Sequence, residues 1–417
     1  MVSVCMYFQV HQPYRLRKYN IFDIARNSNY YDDHKNYEVL KKIVSKCYLR
    51  TNNQVLELIR KTDGKLKVSY SLTGIIIEQL LEYFPEVIES FYSLSKTKNV
   101  EFLSETYHHS LAYLFSKQEF RQQIQMHKRL IKNIFHQNPT VFRNTELIYN
   151  NEIANFIQNL GDYKAILAEG ADHILNWRSP NFLYTPKTAS DLKLLLKNYR
   201  LSDDIAFRFS QQSWSEFPLS APKYAAWINT VNGKGNIINL FLDYETFGEH
   251  QWDTTGIFDF LEHLPFEILK NPDNDFVTVS QAARKYQSVG ELDIHNIISW
   301  ADIERDLSAW LSNQMQHSAI NNLYKIEQRV KATNNKTLLE DWRRLQTSDH
   351  FYYMCTKYFN DGDVHKYFNP YDSPHQAFVS FMNVYADIII RLKNLEVQKN
   401  EAQKNNNTRS PTIPARS

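Results

Sequence analysis

A chain of 417 residues is too long for one small core and accommodates one to three domains. With 43% hydrophobic and 23% charged residues it has the composition of a soluble globular protein, and a formal net charge of +2 leaves no electrostatic case for nucleic acid or an acidic membrane surface. No run approaches the roughly 18 apolar residues of a membrane span, and three widely spaced cysteines (Cys5, Cys47, Cys355) read as free thiols in a reducing cytoplasm.

The opening stretch, MVSVCMYFQVHQP, has no basic region and no small-residue cleavage site, so it predicts a first strand (3–10) rather than a signal peptide. The next β-rich runs are KLKVSYSL (65–72), NVEFL (99–103), TVFRN (140–144), YKAILA (163–168), YRLS (199–202) and NIINLFL (236–242), with DFVTV (275–279) as a candidate eighth. Each ends in a polar or acidic cluster, and helical periodicity returns between them. That alternation predicts an α/β fold with a parallel sheet. Seven or eight such units favour a closed barrel, in which strand ends from distant positions converge on one site. A doubly wound open sheet is the structural alternative.

From about residue 295 the pattern turns helical, with one long periodic stretch at 298–332 and others at 337–358 and 374–396. Ser299 with Asp302 reads as a capping arrangement. The expected organisation is a barrel over 1–294, a helical domain over 295–398 packed on it and completing the cleft, and a polar, Asn/Lys-rich tail over 399–417 without fixed structure.

Cleaving a glycosidic bond with retention needs two carboxyl groups about 5–5.5 Å apart, one to attack the sugar and one to donate and then recover a proton. Glu146 and Asp243 each follow a strongly apolar strand. Composition and spacing do not single them out, because Glu105, Glu169, Asp203 and Asp204 also stand at strand ends. Only 10 glycines argue against phosphate-cradling loops, and 14% aromatics suit sugar faces as well as core packing.

Five segments in order carry a resemblance: HQP (11–13), TGIIIEQL (73–80), FRNTELIYNN (142–151), FLDYETFGEHQW (241–252) and SWADIERDLSAWLSN (299–313). Together they resemble the sequence regions of glycoside hydrolase family 57, in the order of its α-amylase-type members. VEFLSETYHHSLA (100–112) and LAEGADHIL (167–175) are similar to it as well. The resemblance covers about residues 2–315, and its most specific parts are the segments around Glu146 and Asp243. It implies a distorted, TIM-like (β/α)7 barrel with a C-terminal helical bundle, and a retaining enzyme of α-1,4-glucans that needs no metal or cofactor. It also implies that Glu146 is the nucleophile and Asp243 the general acid/base, with His11, Glu78, Glu245 and Asp306 around the bound sugar. Asp302, one turn before Asp306, competes for the last role. Ser312 stands where the family has a glycine, which puts the local turn in question.

Each of these residues also has a plainer reading. Glu146 pairs with Arg143, Asp243 caps a turn, Glu245 is a surface acid, His11 is structural, and Glu78 needs a partner inside its apolar run. If the strand continues past Asp243, alternation aims Glu245 the same way, where it tunes the acid. Among Trp177, Trp252, Trp300 and Trp310, the favoured sugar platforms are Trp252 and Trp310. His108-His109 and Asp203-Asp204 raise a metal question, but no His-x₃-His pair supports it. The expected function is α-amylase-like hydrolysis of an α-glucan or maltooligosaccharide in the cytoplasm. Glucanotransfer and branching use the same two carboxylates. A metal-dependent deacetylase-like barrel and a non-catalytic glucan-binding protein are the more distant readings.

Overall fold

The computed structural model describes residues 1–357 and 369–408. Its first element, β1 (Val2–Val10, VSVCMYFQV), is rich in β-branched and aromatic residues and buried along its whole length. It pairs in parallel with β2 (Val68–Leu72) on one edge and with a later strand of the sequence NIINLFLD on the other. Beyond β2 lies β3 (Val100–Phe102). A second parallel sheet orders β4 (Val141–Phe142), β5 (Ala165–Glu169) and β6 (Lys193–Lys197). The strand that closes on β1 is β7 (Ile237–Asp243).

Backbone hydrogen bonds join the two sheets at both ends. Ser104 N donates to Val141 O (3.0 Å) and Arg143 N to Ser104 O (2.9 Å), linking the end of β3 to β4. Asn198 N donates to Asn239 O (2.9 Å), linking the end of β6 to β7. The seven strands form one closed parallel ring, a (β/α)7 barrel. The candidate eighth strand is β8 (Asn274–Phe276). It pairs with Val2–Val4 of β1, on the edge that β2 occupies further along, so it underpins β2 and is not a stave.

Side-chain alternation gives each strand two dry faces. Val4, Met6, Phe8 and Val10 of β1 share a core with Tyr70, Phe102, Leu240 and helix residues such as Leu58 and Leu261. Cys5 and Tyr7 face the other way, into a cluster with Leu103, Val141, Leu167, Leu195 and Phe241. That second cluster fills the barrel. Carried one step further along each strand, the same parity brings Gln9, Glu105, Arg143, Glu169, Lys197 and Asp243 to the C-terminal mouth.

One strand expectation and one helix expectation need correction. YRLS (199–202) is not a strand but the start of a helix, Tyr199–Asp203, capped by the Asn198 side chain. The sixth stave is KLLLK just before it, whose Leu and Lys have no β preference of their own and are held extended by pairing with β5. The 298–332 stretch is not one helix. Residues 299–307 form turns, and helices then run over Ser308–Leu311, Gln314–Lys325 and Glu327–Ala332. Ser299 does not cap Asp302, because its hydroxyl donates to Asp306 O (2.6 Å).

The chain forms two compact units. The first contains the barrel, Met1–Pro13 and Asp33–Ala309. The second contains Tyr14–Asp32, Trp310–Thr356 and the residues from Asn369 on. The second is helical, with Trp342, Phe351, Phe381, Val384 and Ile388 buried. Trp342 Nε1 donates to Leu323 O (2.8 Å), and Arg391 joins Asp341 (2.7 Å) and Tyr30 (2.8 Å). Its last helix spans Pro374–Thr408, so it runs past residue 399, where the tail was expected to begin. The rest of that tail, from 409, lies outside the described residues.

Candidate active site

Glu146 stands in a tight turn, Thr145–Leu147, that follows β4. It adopts φ 56 and Leu147 φ 51, a left-handed conformation that a non-glycine residue enters at a cost of about 1–3 kcal/mol. The surroundings hold it there. Leu147 N donates to Asn144 O (3.0 Å), the Asn144 amide donates to Ile148 O (3.0 Å), and Trp300 N donates to Glu146 O (3.1 Å). Thr145 is tied to Thr106 through their hydroxyls (2.8 Å).

Both carboxylate oxygens of Glu146 are engaged. Trp300 Nε1 donates to Oε2 (2.6 Å), and His109 Nε2 lies 3.0 Å from Oε1. The other ring nitrogen of His109 is 3.3 Å from Glu105 Oε2. Glu105 is wholly buried, accepts from Gln9 Nε2 (3.2 Å), and has Arg143 Nη1 at 3.8 Å. His109 is itself left-handed, at φ 50, and its ring stacks on His11 at 3.9 Å. His11 in turn meets the Thr73 hydroxyl (3.1 Å). Burial pulls the His109 pKa down, but the hydrogen bonds to Glu105 and Glu146 outweigh it and hold the ring up to about 9. Burial likewise opposes ionisation of Glu105, yet His109 and Arg143 bring its carboxyl down to about 2.

Asp243 ends β7 and is half-buried. The chain then turns through Tyr244–Thr246, so Glu245 does not follow strand alternation. It points into the protein, 4% exposed, where the Tyr48 hydroxyl donates to it and Gln12 bonds it. Burial first, and the charge of Asp243 second, push the Glu245 carboxyl up to about 8. The plain reading of Glu245 as a surface acid is therefore excluded.

A cavity of about 640 Å³ opens beside these groups, lined among others by Asp243, Trp300, His250, Lys197, Asp203 and Asp302. A charge network borders it. Arg305 Nη1 bonds Glu169 Oε2 (2.6 Å) and Lys197 Nζ bonds Asp203 Oδ1 (3.1 Å). Arg143 and Lys197 both lie over the Trp300 ring, at 5.0 and 5.2 Å from its centroid. Both cations keep the ring in place through its electron-rich face.

Of the expected site residues Asp243 lines the cavity and Glu146 is bonded to Trp300 of its lining, while His11 and Glu245 stand behind it. Glu78 is half-buried and accepts from Tyr107 Oη (2.7 Å), outside the cavity lining. Trp252 is 53% exposed, under the Lys46 ammonium at 5.5 Å, and does not line the cavity either. Asp306 turns its carboxylate onto Ser308, accepting from its N–H (2.8 Å) and hydroxyl (2.5 Å), while Asp302 lines the cavity. Trp310 needs correction as a sugar platform. It belongs to the second unit and is 1% exposed, packed edge-on to Tyr352. Trp300 is the tryptophan that touches the candidate nucleophile.

Sequence reasoning passed over His109, Glu105 and Trp300 in these roles. The signal available was parity: Glu105 stands two residues after Leu103, as Arg143 does after Val141 and Glu169 after Leu167, all three of which fill the barrel. The side chains that raised the metal question have other partners. Asp203 is bonded by Lys197, Asp204 pairs with Arg208 (2.6 Å), and His109 serves Glu146. Among the described residues, no three His, Cys, Asp or Glu side chains could hold a metal ion, and no helix is long and apolar enough to cross a membrane.

The model of glycosyl hydrolase family 57 matches residues 5–295. A protein of Methanocaldococcus jannaschii named "Putative alpha-amylase" is 46% identical over 415 residues, covering 96% of this chain and 86% of its own. The solved 4-alpha-glucanotransferase of Thermococcus litoralis superposes with a TM-score of 0.60 at 13% identity. That match covers 84% of this chain and 56% of the glucanotransferase, so the chain spans little more than half its length. A GH57-type branching enzyme of Pyrococcus horikoshii gives a TM-score of 0.63 at 14% identity, covering 88% of this chain and 87% of that one. At those identities the two structures establish the shared fold.

Proposed function

Because the chain belongs to glycosyl hydrolase family 57, we propose that it cleaves α-1,4-linked glucans with retention, through a covalent glycosyl-enzyme. The observation that carries this reading is the state of Glu146. Its two oxygens are fixed by Trp300 and His109, and Trp300 and Asp243 both line the cavity. A carboxylate aimed by two donors is preorganised to attack.

In the first half-reaction Glu146 bonds to the anomeric carbon as the glycosidic C–O bond breaks. Asp243 gives its proton to the departing oxygen, which leaves as the free hydroxyl of the shortened chain. In the second, Asp243 takes a proton from an incoming hydroxyl. That oxygen bonds to the anomeric carbon and the ester to Glu146 is released as carboxylate. Two displacements on the same carbon return the starting configuration. Glu245, buried and with its carboxyl pushed up to about 8, is held protonated at neutral pH and adds no second negative charge beside Asp243.

With water as the incoming group the reaction is hydrolysis, the reading supported by the name of the 46% identical relative. A sugar hydroxyl as acceptor makes it transfer or branching. That second reading is favoured by Phe207 and Ile303, which line the cavity although 50% and 78% exposed and so offer apolar surface to an acceptor sugar. Products from maltoheptaose separate the two. Shorter maltodextrins alone mean hydrolysis, and longer ones beside them mean transfer. Either pattern should vanish in Glu146→Gln and persist with EDTA. Activity lost with EDTA, or kept in Glu146→Gln, overturns the two-carboxylate reading.

A further inference from the structure

We propose that Glu105 and His109 form a positioning dyad for Glu146, in which Glu105 keeps both ring nitrogens of His109 protonated so that Nε2 always donates to the nucleophile. This inference rests on the two-carboxylate reading above and assigns the groups behind it. The geometry is a relay through the two ring nitrogens: Glu105 Oε2 at 3.3 Å from Nδ1, and Nε2 at 3.0 Å from Glu146 Oε1. Glu105 and His109 are 0% and 2% exposed, so no water replaces either contact from the outside.

A neutral imidazole carries one N–H, on either nitrogen. The tautomer protonated at Nδ1 would satisfy Glu105 and turn a lone pair on Glu146, repelling the carboxylate it should orient. Two carboxylates on opposite sides of the ring remove that ambiguity, since each needs a donor. The remaining neighbours agree. His11 stacks on the ring at 3.9 Å and turns its own Nδ1 to the Thr73 hydroxyl, and Arg143 opposes the imidazolium but sits 3.8 Å from Glu105. His127, bonded to the Glu105 N–H and to Leu72 O, is pushed toward its neutral form by burial, so it adds no competing cation.

No proton moves in this role. The ring keeps both protons through attack and release, while the adjacent positive charge keeps Glu146 ionised in acid and makes it a better leaving carboxylate in the second half-reaction. An opposite charge at this distance favours the ionised carboxylate. Losing it should carry the acid limb of the pH profile upward.

The test is kcat/KM on maltoheptaose against pH for the native chain, His109→Gln, Glu105→Gln and Glu146→Gln, with ¹⁵N-histidine NMR of the native chain. His109→Gln should displace the acid limb upward by about one pH unit or more. Glu105→Gln should leave that limb in place and bring the alkaline limb down, because the ring then sheds its proton within the working range. The NMR signal that disappears in His109→Gln should be that of a doubly protonated ring at pH 7. Unmoved limbs in both variants with only kcat reduced, or a singly protonated ring in the native chain, overturn the dyad while a dead Glu146→Gln leaves the proposed function standing. Near-native turnover of Glu146→Gln overturns both.

Discussion

At the level of single residues, the site is a set of carboxyl groups whose surroundings separate their roles. If Asp243 is the proposed general acid, Asp243→Asn should cost about 10²-fold or more in kcat on unactivated glucans, with far less loss on substrates whose leaving group needs no proton. Glu245 gives a stability prediction with a definite sign. Its carboxyl is raised to about 8 in the folded chain, against about 4.3 when unfolded. Between those values the unfolded state has lost the proton and the folded state retains it, so stability falls as pH rises through that window. Glu245→Gln should flatten the decline in Tm from pH 5 to 8, and an unchanged slope would show that Glu245 is not the group responsible. Glu105 acts in the opposite sense. Its depressed pKa contributes stability above about 4.3 that is lost as pH falls toward 2.

Among the elements, what could be read from the sequence depended on whether local preference and tertiary demand agreed. VSVCMYFQV and IINLFLD are β-rich by composition and are strands. KLLLK is a strand only because β5 and the barrel require one there, and no local signal marks it. The segment 299–307 has helical periodicity but is bent by bonds from Ser299 to Asp306 and from Trp300 to Glu146, the second with a partner 154 residues away that periodicity cannot express. Glu146 and Asp243 stand out as candidates because motif and strand end coincide. His109 and Glu105 do not, because the relay is a matter of ring orientation. Two predictions belong to this scale. Leu240→Ala, in the outer core of β7, should destabilise by about 2–5 kcal/mol in denaturant unfolding. Gly74 opens the helix Gly74–Tyr83 directly against the Tyr107 ring, so Gly74→Ala forces that ring away. It should cost about 1–3 kcal/mol and loosen the Tyr107–Glu78 bond.

Taken as a whole, the molecule is a barrel unit and a helical unit in one chain, and the fold class followed from alternating strand and helix patterns. The unit boundaries did not. Tyr14–Asp32 leaves the barrel directly after β1 and HQP to join the helical unit, where Asp387 accepts from the Ala25 N–H (2.6 Å) and from the Tyr30 hydroxyl. Nothing in the composition of that segment marks the excursion. The central claim, that Glu146 becomes covalently bonded to the sugar, is open to one direct measurement. Asp243→Ala incubated with α-maltosyl fluoride, which needs no acid to depart, should accumulate the glycosyl-enzyme. Peptide mass spectrometry should then find the maltosyl addition on Glu146. An addition on another carboxylate, or turnover with no covalent adduct and a β product, would contradict it.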